Sequence, residues 1–152
     1  MYQLWLYLHI MGAIIAFGFG FVAPVIGRMV AEEPQHARFF VRAGKRVSST
    51  VIIPAALSMA VTGGLLIMTT NRSMGEIWLG TAILLYIIAL GLSLFVQRPA
   101  FDRIIELTAT PPGPGGPDPQ VPVLAARARR IGYILALLVL VIVALMVFKP
   151  GA

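Results

Sequence analysis

The chain is predicted to be an all-α polytopic membrane protein, a single domain built as a four-transmembrane-helix bundle. Two features of its 152 residues predict this: 59% are hydrophobic and only 12% charged, and the apolar residues fall into four long runs. An ordinary globular domain is about a quarter charged, so the imbalance points to lipid as the solvent. The length accommodates four spans of about 20 residues with their connections and leaves no room for a second soluble domain. Cysteine is absent, which excludes disulfides, thiolate metal sites, iron–sulfur clusters and cysteine nucleophiles.

The spans are expected at about 4–30, 47–70, 77–96 and 131–148. No basic residue precedes the first, which outruns a signal-peptide core, so it is expected to be retained as a true span. Ten of the twelve Lys and Arg residues follow span one or separate spans three and four, whereas Arg72 and Lys149 stand alone in the other two regions. The positive-inside rule therefore puts the basic loops in the cytoplasm and both termini outside it. Tyr2, Trp5, Trp78 and Phe148 are expected at the outer interface, and Phe39, Phe40, Phe95, Phe101 and Tyr133 at the inner one.

The first cytoplasmic loop reads as a short helix leading into span two. Pro34 suits its first turn, Glu32 and Glu33 its positive end, and Arg38, Arg42 and Arg46 form one stripe. Arg38, Arg42, Lys45 and Arg46 are expected to meet lipid headgroups, with an acidic partner as the alternative. The net charge of +6 lies beside apolar spans, which makes the lipid bilayer the expected partner and argues against nucleic acid. Span three is expected to continue as helix, with Asp102 and Glu106 spaced to pair with Arg98 and Arg103. Proline and glycine predict a flexible linker over Thr110–Pro122, and a proline-rich ligand motif is the less favoured reading. Glu76 is expected to be solvated.

In a bilayer, helices associate through close approach at small residues and through polar contacts. Gly12, Ala16 and Gly20 on span one, Ala56, Ala60 and Gly64 on span two, and Gly132 and Ala136 on span four are the predicted contact faces. Thr50, Pro54, Ser58 and Thr62 form a second stripe on span two, about 160–200° from its small ridge. Pro54 deprives the Thr50 carbonyl of its helical donor, and a bend is expected there and at Pro24.

His9 is the one ionisable side chain well inside a span, roughly 8 Å below the outer end of the apolar run at 1.5 Å per residue. Such groups are functional suspects. Gly12, Ala13 and Ala16 share its face and leave room for a flat ligand, and neutral imidazole is a good axial ligand for haem iron. His36 lies in the cytoplasmic loop, so two histidines of one protomer cannot hold one haem. Met68 and Met146 share the depth of His9 and carry sulfur able to ligate haem iron or copper. The plainer alternative is a histidine hydrogen-bonded to Tyr, Thr or backbone. No catalytic pair and no carboxylate occurs within a span, which argues against an enzyme and against a proton-coupled carrier. An internal polar cavity for a carrier would have only Thr50, Ser58 and Thr62 to line it.

The run Leu4-Trp5-Leu6-Tyr7-Leu8-His9-Ile10-Met11-Gly12, then Phe17-Gly18-Phe19-Gly20-Phe21-Val22-Ala23-Pro24-Val25-Ile26-Gly27, with Ile53-Pro54 and Thr62-Gly63, resembles a family of small bacterial membrane proteins of unknown function. The resemblance covers the whole chain by length and span count and is most specific in the first two helices. It implies four spans and brings no activity. The chain is also distantly similar to the membrane domain of copper-resistance protein D and to small haem-containing membrane protoporphyrinogen oxidases. In the latter a histidine of the first span follows a comparable leucine–histidine pattern, and that resemblance implies His9 as the ligand of haem b or copper. The oxidase type carries tryptophan and glycine after the histidine, where this chain has Ile14-Ile15-Ala16-Phe17-Gly18. The expected function is an accessory or structural subunit of the bacterial plasma membrane, in contact with other subunits or with copies of itself. The alternative is a haem- or copper-binding redox protein using His9.

Overall fold

The computed structural model describes residues 1–33, 36–70, 76–109, 116 and 118–151, the side chains of 23, 24 and 31 apart. It contains α1 (Tyr2–Glu32), α2 (Ala37–Val47), α3 (Ile53–Thr70), α4 (Ile77–Leu92), α5 (Arg98–Leu107) and α6 (Gln120–Phe148). A π-helical turn, Ser48–Ile52, fuses α2 to α3, and a second, Ser93–Gln97, fuses α4 to α5. The result is four helices long and apolar enough to cross a membrane, at Tyr2–Val30, Ala37–Thr70, Ile77–Leu107 and Gln120–Phe148.

Each π turn stands one residue ahead of a proline. Pro54 and Pro99 have no N–H to return to Thr50 and Phe95, and the residue ahead of each, Ile53 and Arg98, reaches back five residues to the carbonyls of Ser48 and Ser93. The expected disturbance at Pro54 is thus a widened turn, and the same device recurs at Pro99. The Thr50 hydroxyl bonds the Arg46 carbonyl at 2.8 Å, keeping a polar group satisfied inside the helix. The helix of α1 runs unbroken through Pro24. Pro34 lies outside the described residues, and the loop helix begins at Ala37. Most of the expected linker also lies outside them. Its last three residues do not belong to it, because α6 starts at Gln120, where Asp118 Oδ1 accepts the Gln120 N–H at 2.8 Å and Pro122 falls in a first turn that tolerates it.

Within the bundle α1 packs on α3 and α6, and α6 on α1 and α4. Tyr86 of α4 donates its hydroxyl to the Ala56 carbonyl of α3 at 2.5 Å, linking the two outer helices of that order. Tyr86→Phe is expected to lower stability by about 0.5–1 kcal/mol, the usual worth of an interhelical bond in lipid, as read by unfolding in sodium dodecyl sulfate titrations. The core is thin and made mostly of small or flat contacts: Ala16, Met59, Thr62, Trp78, Leu79, Ala82 and Ile142 are buried. Large apolar side chains such as Leu8, Ile14, Phe21, Val61, Leu84, Ile87 and Leu137 face outward on the spans. In lipid such exposure is unremarkable, because acyl chains are as apolar as leucine.

At one end α2, α5 and the start of α6 extend as a small head. Ala100, Ile104 and Ala128 are buried there. Asp102 pairs with Lys45 of α2 instead of Arg98, while Glu106 pairs with Arg103 at 3.1 Å as its spacing foresaw. At the other end Glu76 is not merely solvated. It precedes α4, its carbonyl accepts the N–H groups of Leu79 and Gly80, each at 3.0 Å, and its carboxylate accepts the Trp78 indole N–H at 2.8 Å. Trp78 is accordingly buried at 4% exposure, in the first turn of α4. Lys149, which ends α6 in the left-handed conformation (φ 44°), holds its ammonium 5.9 Å from the centre of the Trp78 ring.

The small ridges divide. A Cβ on Gly12 would stand 2.8 Å from Met59 Cγ, so this glycine admits a neighbouring side chain. Beside Gly20, Gly64 and Gly132 there is open space within 4 Å, and Ala60 and Gly64 are exposed. On α3 it is the face with Met59, Thr62 and Gly63, centred about 100° around the helix from the small ridge, that meets α1.

Candidate functional site

His9 lies in the third turn of α1, half-buried, facing α3. Its Nδ1 is 3.1 Å from the Met59 carbonyl oxygen and 3.2 Å from Thr62 Oγ1. The Thr62 hydroxyl donates to the Ser58 carbonyl at 2.8 Å, leaving its oxygen as an acceptor toward the ring. A carbonyl can only accept, so Nδ1 carries the hydrogen, and in the neutral ring Nε2 retains its lone pair.

Two glycines make this contact close. A Cβ on Gly63 would lie 3.2 Å from His9 Cε1 and 3.5 Å from Nδ1, so the imidazole rests against bare backbone of α3. Reciprocally, Gly12 one turn beyond His9 receives the Met59 side chain. Each helix thus offers a glycine to a bulky side chain of the other, and Ala16 continues the buried face at 7% exposure. Sequence reasoning identified His9, Gly12 and Ala16 but missed Met59 and the role of Gly63. The available signal was the hydroxyl stripe of Ser58 and Thr62, whose neighbours 59 and 63 share that side of the helix.

The other candidate ligands are not gathered around His9. Met68 is 77% exposed, and its separation of nine residues from Met59 puts it about half a turn around α3, away from α1. Met146 is half-buried on α6, which also packs on α1. Among the described residues no three His, Asp or Glu side chains converge on a metal site. Of the four basic residues expected at lipid headgroups, two are engaged within the head: Arg38 donates to the Ala109 carbonyl at 3.2 Å and Lys45 pairs with Asp102. Arg42 and Arg46 are exposed.

Four apolar spanning helices, joined by interhelical hydrogen bonds at a histidine and a tyrosine, define a polytopic α-helical integral membrane protein. The chain belongs to the family described as Predicted integral membrane protein (DUF2269), whose model matches residues 3–150. Comparison with curated proteins and with solved structures gives no match.

Proposed function

We propose that the chain is an accessory or structural subunit of the bacterial plasma membrane, with both termini on the extracytoplasmic side. The supporting observation is the use of His9: this histidine well inside a span has its Nδ1 occupied by Met59 and Thr62 in a joint between helices. The ten basic residues flanking the head end support the orientation. Such a subunit works through its surfaces, against other membrane subunits or copies of itself.

A second reading is favoured by one feature of the same joint. A histidine whose Nδ1–H is held by a backbone carbonyl has its ring oriented and its Nε2 basic, which is how imidazole ligands of haem iron or copper are commonly supported. Met146 is the methionine better disposed to accompany it, since Met68 lies on the far side of α3. The two readings part on an absorption spectrum and metal analysis of detergent-purified wild type beside His9→Ala. The subunit reading expects a colourless, metal-free protein that copurifies with further chains. A Soret band or stoichiometric copper, lost in His9→Ala, would overturn it in favour of the redox reading.

A further inference from the structure

We propose that the groove between the second π turn and the start of α6 seats one anionic phospholipid, with its phosphate on Arg127 and an acyl chain against Phe95 and Val96. The groove is open, holds about 200 Å³, and is lined by Phe95, Val96, Pro99, Ala100, Leu124 and Arg127. Its wall is a product of Pro99, which widens the helix at Ser93–Gln97 and stands in the lining itself. Phe95 is 79% exposed beside it. The groove sits where the apolar run of α4 gives way to Arg98 and where, on α6, Arg127 precedes the apolar run from Ile131 by one helical turn. A headgroup and the top of an acyl chain meet a protein at that level.

Charge selects the lipid class. The acids on α5 are already satisfied, Asp102 by Lys45 and Glu106 by Arg103, and among the described residues Arg127 takes part in no ion pair. Arg98 adjoins the groove in sequence, and Arg130 follows Arg127 at a spacing that shares its face. The site is therefore cationic without a resident counter-charge, and a guanidinium gives a phosphate charge-assisted hydrogen bonds. The inference stands apart from the role given to His9.

Native mass spectrometry of the delipidated full chain, titrated with dioleoylphosphatidylglycerol, dioleoylphosphatidylcholine or soluble glycerol 3-phosphate, tests it. One phosphatidylglycerol is expected to be retained in preference to phosphatidylcholine, with no comparable binding of glycerol 3-phosphate. Arg127→Ala and Arg127→Gln are each expected to weaken it about fivefold, Arg127→Lys less, while Arg28→Ala, at an exposed arginine of α1 outside the groove lining, leaves it unchanged. Arg127 is exposed, so its variants are expected to keep the wild-type circular dichroism spectrum. Undiminished binding by both Arg127→Ala and Arg127→Gln, an equal loss in Arg28→Ala, or equal retention of phosphatidylcholine or glycerol 3-phosphate would overturn the site.

Discussion

Trp78→Ala is expected to destabilise the bundle by about 2–4 kcal/mol, measured as the shift in unfolding by sodium dodecyl sulfate followed through far-ultraviolet circular dichroism. Trp78 is the bulkiest of the buried residues, at 4% exposure. Around it converge the carboxylate of Glu76 and the ammonium of Lys149, so the ring fastens the start of α4 to the end of α6. Removing it in a bilayer forfeits dispersion contacts rather than hydrophobic transfer energy, because the cavity is surrounded by groups no more apolar than lipid. Trp78→Phe keeps most of that contact and loses the indole N–H bond to Glu76. A loss of about 1 kcal/mol is expected there, and an equal loss in both variants would show that filling the site contributes nothing.

Gly12→Leu is expected to cost about 2–3 kcal/mol and to release α1 from α3. Even a single carbon at this position meets Met59 Cγ at 2.8 Å, with Ser58 Oγ at 3.4 Å and the Ala55 carbonyl at 3.5 Å. To clear an alanine, Met59 must turn near the root of a side chain buried at 5% exposure, so Gly12→Ala is expected to cost about 1 kcal/mol. A leucine cannot be cleared that way, and moving α1 outward also lengthens the His9 bonds to Met59 and Thr62. Gly20→Leu is the contrasting variant, since a Cβ there meets nothing within 4 Å. The same measurement should show it near wild type, and similar losses at Gly12 and Gly20 would refute the interlocked geometry.

The four spans were legible in the sequence because a bilayer demands long apolar runs and tolerates few charges, and that demand is written residue by residue. Which side of each span turns inward was harder to read. In water the buried face is the apolar one; in lipid both faces are apolar, and the choice rests on local contacts. The ridge of Ala60 and Gly64 accordingly turned outward, while Thr62 turned in, its hydroxyl already bonded to backbone and matched to His9. His9 was conspicuous as the lone imidazole well inside a span. Its partners were not, because they lie 50 and 53 residues away and one of them is a main-chain carbonyl. Residue type alone suggested an interface for Trp78 and said nothing of its burial, which the bond to the neighbouring Glu76 allows.

The lengths of the fused helices carry a consequence for what the protein presents beyond the lipid. The helix running from Ala37 to Thr70 has 34 residues and that from Ile77 to Leu107 has 31, about 51 and 46 Å at 1.5 Å per residue. The hydrocarbon slab takes up only about 30 Å of that. Tilt absorbs a little of the excess, and the remainder stands clear of the acyl chains on the side that carries the arginines. On the opposite side the described helices end at Thr70, Ile77 and Phe148. The described helices are therefore offset toward the arginine side, and a soluble neighbour approaching from there would touch arginine-rich helix before it reached lipid.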